Sequence, residues 1–191
     1  MKKEKKKIII TLISISIICL IIGLVMANQN PQVKIETSMG NIIVELYPDK
    51  SPVTVENFLK YVDNDFYSNT VFHRIIEDFM IQCGGFQSNG TEKTTLAPIV
   101  LESKNGLKNE KGTLAMARTT VENSATSQFF INLQDNEFLN YGYRDAGYAV
   151  FGKVVKGLDV VEKIGSAKTT VKYRMEDWPV EDIVIKSIKR I

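Results

Sequence analysis

Cysteine and histidine are nearly absent from this chain: among 191 residues there are two cysteines, Cys19 and Cys83, and one histidine, His73. Cys19 lies inside an apolar N-terminal run and Cys83 in the body of the chain, contexts that argue against a mutual disulfide and exclude a disulfide-stapled scaffold. A single histidine cannot assemble a His/Cys cluster at metal-ligand spacing, so neither a metal nor any other cofactor is expected. A serine hydrolase would have to pair His73 with a nucleophile, and no Gly-x-Ser-x-Gly elbow occurs. Gly84-Gly85 is the nearest approach to a phosphate loop, yet neither Gly-x-Gly-x-x-Gly nor Gly-x-x-x-x-Gly-Lys-Ser/Thr can be written. No period of about 20–50 residues repeats, which excludes a solenoid.

An excess of basic charge is lacking as well, once its location is considered. The formal charge of +2 arises from Lys2, Lys3, Lys5, Lys6 and Lys7; from Pro31 onward 19 Lys and Arg face 21 Asp and Glu. With no basic stripe interleaved with aromatics, nucleic acid is not an expected partner. The composition, 44% apolar and 24% charged, is that of an ordinary globular protein with one core.

What is present begins with Ile8 to Val25, a run without charge whose polar members are Thr11, Ser14 and Ser16. Its length approaches the roughly 20 residues that cross a bilayer and exceeds the ~7–15 of a signal-peptide core. Residues 1–27 therefore read as a signal-anchor, with cleavage after Ala27 as the alternative, and 28–32 as a polar linker. The lysines ahead of the run orient the tail inward, so a single-pass protein with its domain outside the cytoplasm is expected, or a secreted one if cleaved.

From Val33 the periodicity is two-fold. Val33, Ile35 and Thr37 alternate with polar residues, Ser38-Met-Gly-Asn turns, and Ile42, Val44 and Leu46 follow, a pattern that predicts a β-hairpin. Ser51 followed by Pro52 predicts a capped helix over 52–63, with Val55, Phe58, Leu59 and Val62 on one face. Short turn-bounded apolar runs at 70–76, 79–82, 96–101, 112–117, 128–133 and 149–155 predict strands. Leu158, Val161 and Ile164, ending at Gly165, suggest a second helix, and Glu181 to Ile188 a last strand. Two helices among many short strands point to a closed or nearly closed β-barrel in residues 33–191.

Three segments carry more than periodicity: Phe72-His-Arg-Ile-Ile-Glu-Asp-Phe-Met-Ile-Gln-Cys-Gly-Gly-Phe86, Gly112-Thr-Leu-Ala-Met-Ala-Arg118 and Ser124-Ala-Thr-Ser-Gln-Phe-Phe-Ile-Asn132. In order and spacing, with Asn136-Glu-Phe-Leu-Asn140 and Tyr148-Ala-Val-Phe-Gly-Lys-Val154, they closely resemble cyclophilins, the compact bacterial members above all, over essentially all of residues 33–190. The resemblance implies a mainly β fold, a closed antiparallel eight-stranded barrel capped by two α-helices, and peptidyl-prolyl cis/trans isomerase activity. It places Arg74 as the catalytic arginine, Phe79, Met80, Phe130 and Leu139 in the proline pocket, and Gln82 as the polar groove residue. Gln128 precedes the paired phenylalanines, of which Phe129 is assigned to the interior. Ala117 and Arg118 match the backbone that pairs with substrate, His73 precedes the arginine, and Phe138 and Tyr148 complete the groove.

Departures accompany the match. Glu77-Asp78 stands where many members have Pro-Gly or Asn-Gly, and Cys83 where a glycine is common. Phe138 replaces the tryptophan usual in animal members and Tyr148 their histidine. Without the indole N–H, cyclosporin is expected to bind weakly.

Each residue also has a plainer reading: core aromatics for the phenylalanines, a small buried hydrophobe for Cys83, and a surface ion pair of Arg74 with Glu77 or Asp78. For His73 the choice lies between a groove-edge hydrogen-bonder and a partly buried structural residue.

The expected partners are proline-containing polypeptides and, through the N-terminal segment, the membrane; a monomer is expected. The leading function is an isomerase assisting exported proteins. The alternative is a membrane-tethered module that grips proline segments in a chaperone-like role with little turnover.

Overall fold

The computed structural model describes residues 30–191. The expected anchor or signal segment at 1–27 lies outside them; among the described residues no helix is long and apolar enough to cross a membrane.

The chain opens with the expected hairpin, β1 (Gln32–Thr37) and β2 (Gly40–Leu46), paired antiparallel from Gln32↔Glu45 to Thr37↔Gly40. Alternation does the work: Val33, Ile35, Ile42, Val44 and Leu46 are fully buried. The helix follows at Pro52–Asp63 (α1), with Val55, Phe58, Leu59 and Val62 buried. Phe58 meets Tyr67, Phe129 and Phe151 at ring-centroid distances of 5.4, 5.3 and 5.2 Å. Truncating such a side chain to alanine costs about 3–5 kcal/mol. The helix start departs from expectation. Ser51 does not cap it, because its hydroxyl donates inward to the Val150 carbonyl (2.7 Å). The carboxylate of Glu102 takes that place, accepting from the backbone N–H of Val53 (3.1 Å) and Thr54 (2.8 Å) and from the Thr54 hydroxyl (2.7 Å).

The run 70–76 is two strands, β3 (Thr70–Val71) and β4 (Arg74–Ile76), parted at Phe72-His73. Next come β5 (Met80–Cys83), β6 (Thr113–Met116), β7 (Phe129–Asn132), β8 (Val150–Lys156), a second helix α2 (Leu158–Gly165), a two-stranded ribbon β9 (Thr169–Lys172) with β10 (Met175–Pro179), and β11 (Val184–Arg190). The segment 96–101 forms no strand. It contributes one bridge, Ile99 to Ala125, because it runs across the surface with Leu96 and Val100 exposed. The β9–β10 ribbon was not foreseen.

Nine strands form one sheet in the order β3-β11-β1-β2-β8-β6-β7-β5-β4. The expected closed eight-stranded barrel is therefore corrected to a curled, open sheet. Its two edges, β3 and β4, are consecutive pieces of one chain and cannot pair with each other. Where the chain passes from one edge to the other, the Phe72 N–H donates to the Ile183 carbonyl (3.0 Å) and the His73 N–H to that of Gln82 (3.1 Å). The curl encloses the main core; a smaller apolar cluster of Met80, Ala115, Phe130, Leu139 and Val150 lies apart from it.

Candidate active site

Strand register builds the site. Ile75 faces Ile81, Ile81 faces Ile131 and Ile131 faces Leu114, a row buried entirely in the main core. Side chains one residue along point to the other face. There the adjacent row runs Arg74, Gln82, Phe130, Ala115, Val150 across five strands. A guanidinium, an amide, an aromatic ring and an apolar floor thus come into line without a loop having to place them.

The row borders a pocket of about 110 Å³ whose lining joins Arg74, Gln82 and Phe130 to Phe79, Met80 and Leu139, with Ala117, Arg118 and Tyr148 on the remaining side. Met80, Phe130 and Leu139 are 2–4% exposed, so the floor is dry. Phe129 and Phe130 part to opposite faces, the first into the main core and the second into the pocket. Tyr148 meets Phe130 edge-on at 5.6 Å. A larger depression of about 430 Å³, lined by Lys108, Glu110, Asp135, Glu137 and neighbouring asparagines and tyrosines, has polar walls and lacks such a floor.

Arg74 leaves the edge strand with its side chain 44% exposed, and its Nε lies 3.6 Å from Oδ2 of Asp177. The acidic neighbour is thus Asp177 from β10, and not Glu77 or Asp78. Those two form the β4–β5 turn, closed by the Phe79 N–H on the Ile76 carbonyl (3.1 Å), with Asp78 at φ 55°. That left-handed conformation is the one glycine or asparagine adopts at least cost, and aspartate tolerates it.

Gln128 does not line the pocket; it sets the amide that does. Its Oε1 accepts from Gln82 Nε2 (2.9 Å) while its own Nε2 donates to Glu92 (3.3 Å). Phe138 likewise stands one layer back, stacked on Phe79 at 5.5 Å and 27° with the Arg144 guanidinium 5.0 Å from its ring.

For His73 the structure fits the second of the two readings, a buried structural residue, and not the substrate-binding one. It does not line the pocket of Arg74, Gln82 and Phe130: at the bend between β3 and β4 it is 5% exposed and packs against Phe86 (4.7 Å) and Trp178 (6.2 Å). Burial pushes its pKa down to about 4, the Val71 backbone and the Gln128 amide nearby oppose the shift, and the Arg74 charge assists it; Nδ1 is buried with no hydrogen-bond partner. Cys83 is fully buried, and burial pushes its thiol well above the ordinary range, so it is an inert core residue.

Arg118 does more than sequence reasoning assigned. Its side chain donates to the carbonyls of Gly147 (2.9 Å) and Thr119 (2.9 Å) and to Asp145 Oδ1 (3.0 Å), and it lies over the Tyr148 ring at 4.8 Å. It fastens the loop that carries Tyr148. The Ala117 N–H is itself committed to the Gln128 carbonyl (2.9 Å). Ala115, Val150, Glu92 and Asp145 were missed. Strand alternation alone could have found the first two; the others depend on loops meeting across the fold.

A curled β-sheet whose face opposite the core carries an arginine-rimmed apolar pocket is the frame of a prolyl isomerase. Residues 32–190 match the family described as cyclophilin type peptidyl-prolyl cis-trans isomerase/CLD, and the chain belongs to that family. It is 53% identical over 163 residues to a peptidyl-prolyl cis-trans isomerase of Acinetobacter baylyi, covering 85% of this chain and 87% of the relative. With the peptidyl-prolyl cis-trans isomerase B of Escherichia coli it shares 49% identity over 159 residues, 82% of this chain and 97% of that one. Among solved structures, a cyclophilin type peptidyl-prolyl cis-trans isomerase of Cryptosporidium parvum aligns with a TM-score of 0.71 at 27% identity, over 85% of this chain and 98% of the other. The activity is that of the family, rotation about X-Pro bonds in proline-containing peptides.

Proposed function

We propose that Arg74 is the group that accelerates this rotation, acting on a proline seated in the pocket of Phe79, Met80, Phe130 and Leu139. The X-Pro bond turns slowly because rotation breaks amide resonance, a barrier of about 20 kcal/mol. At the twisted transition state the proline nitrogen becomes pyramidal and recovers its lone pair. A fixed cationic donor aimed there interacts more strongly with that state than with the planar ground state. No proton or acyl group moves, so no base or nucleophile is needed. A turnover of ~10–10³ s⁻¹ against ~10⁻² s⁻¹ unaided requires ~4–7 kcal/mol, within reach of one charge-assisted hydrogen bond in a dry site together with positioning. Gln82, held by Gln128, grips a flanking peptide group while the other side turns.

The observation that carries this is the placement of Arg74 and Gln82 in register beside Phe130 over a pocket with a buried apolar floor. The segment Pro31–Ile191, one compact unit, should speed isomerisation of a proline peptide. Arg74→Ala should lower kcat/KM by about 10²–10³-fold and leave the melting temperature nearly unchanged, because the side chain is half exposed. Full activity in the variant would refute the assignment. Line-shape NMR that shows peptide binding without faster cis/trans exchange would mean a module that only grips. Cyclosporin should bind weakly, Phe138 offering no N–H donor.

The N-terminal run supports a location. With five lysines ahead of Ile8–Val25, the domain is proposed to work outside the cytoplasm on exported proteins, tethered to the membrane unless cleaved after Ala27. Added proteinase should digest the domain on intact cells; complete protection would reject the outward orientation.

A further inference from the structure

A second depression shares Arg74 with the proline pocket, and its far wall is β10: Met175, Glu176 and Asp177, with His73 and Phe86 beneath. The β9–β10 ribbon that supplies this wall packs against β4, the strand of Arg74. It is firmly anchored. Trp178 is fully buried and donates from Nε1 to Asp182 (2.9 Å), Lys172 pairs with the same carboxylate (3.0 Å), and the Tyr173 hydroxyl donates to the Ser88 carbonyl (2.8 Å).

Within this ribbon the register breaks at one place. Met175 faces Lys172 and Trp178 faces Thr170, so β10 carries one residue more than β9 between the two pairs. Asp177 lies in that bulge with φ 61°, a conformation that costs free energy in any residue but glycine. A bulge re-aims the side chains it contains. Here Trp178 goes into the core while the Asp177 carboxylate comes to 3.6 Å from Nε of Arg74.

We infer that Asp177 is a positioning residue for Arg74: the strained bulge presents a carboxylate to the Nε edge of the guanidinium, holding the fork so that its Nη donors serve the substrate. A long side chain on an edge strand, half exposed and unheld, would populate several rotamers, and the rate would fall with the fraction of molecules whose guanidinium is aimed at the substrate. An ion pair from a rigid ribbon raises that fraction before the peptide arrives. The inference rests on Arg74 being the transition-state donor.

The test uses the full chain and Asp177→Asn, chosen because asparagine keeps the shape and adopts positive φ readily. The variant should fold with an unchanged melting temperature and lose about tenfold in kcat/KM, mostly in kcat. Glu176→Ala, which removes a neighbouring exposed carboxylate, should leave activity as it was. In an Arg74→Ala background the Asp177→Asn loss should vanish. The Nε–H resonance of Arg74, identified by its absence from Arg74→Ala, should shift in Asp177→Asn. Wild-type kinetics in Asp177→Asn, a loss shared by Glu176→Ala, or a loss persisting without Arg74 would each overturn the proposal. If the wild-type chain, or the chain without Arg74, showed that Arg74 has no catalytic part, the reading of the site would fall instead, and an unmoved Nε–H resonance would then dispose of the pairing as well.

Discussion

One side chain, His73, should account for a large part of the loss of stability in acid. Buried between Phe86 and Trp178 beside the Arg74 charge, its imidazole is held neutral, with a pKa of about 4 against the ordinary 6.5. Because the folded value is the lower one, protons bind the unfolded chain first. The stability that a neutral His73 preserves is complete above pH 6.5, drains away as the pH falls from 6.5 toward 4, and falls no further below that. The gap corresponds to about 3 kcal/mol at its limit, with about 2 kcal/mol already lost at pH 5. Against a typical total of ~5–15 kcal/mol that is a large share. Other groups also respond to acid. Asp63, for example, is held below its usual range by its hydrogen bonds to Arg190, so the wild-type curve alone does not isolate the histidine. The comparison is with His73→Phe, which keeps an aromatic ring in place and cannot titrate. Urea unfolding at pH 7, 6, 5 and 4 should show the stability difference between variant and wild type shifting in the variant's favour by about 3 kcal/mol over the series. Two parallel curves would refute the argument. So would a gap that opens only below pH 4.

Two further outcomes follow from contacts described above. Glu102→Gln should cost about 1 kcal/mol of stability, since a carboxylate on two orphan N–H groups at the start of α1 is both a cap and a favourable charge, measurable by urea unfolding. Glu92→Ala should raise KM by about two- to fourfold with little change in kcat, because Gln128 loses its anchor and Gln82 with it; unaltered peptide affinity would show that the Gln82–Gln128 pair orients itself.

The extent to which the fold was legible in the sequence varied with how local the determinant is. The β1–β2 hairpin and the α1 face follow from period-two and period-3.6 patterns and appear in the structure at the residues expected; alternation parts Phe129 from Phe130, while which of the two turns inward came from the family resemblance. The pocket residues came from matched segments and converge because strand register brings positions 74, 82 and 130 into one row. What failed was non-local. Ser51 looks like a cap in one dimension, but the nearest carbonyl to its hydroxyl belongs to Val150, 99 residues away. Arg74 was weighed against the acids beside it in sequence, whereas its partner comes from a ribbon that starts about a hundred residues later. The run 70–76 read as one strand because nothing in its apolar residues announces the bend at Phe72-His73. The β9–β10 ribbon escaped notice because its exposed strand, Thr-Thr-Val-Lys, buries almost nothing and so leaves no periodic trace.

The alternation that builds the site also makes it a gauge of its own scaffold. Ile75, Ile81, Ile131 and Leu114 fill the core at positions that differ by one from Arg74, Gln82, Phe130 and Ala115, so each of these strands holds its place through one set and works through the other. A slip of one residue would turn the isoleucines outward and scatter the working row in the same motion. With Arg74 in the role proposed for it, misregistered molecules are silent as well as unstable, and the rate of isomerisation in a preparation follows the correctly threaded fraction. Substitutions confined to the outer row leave the inner row to keep the thread.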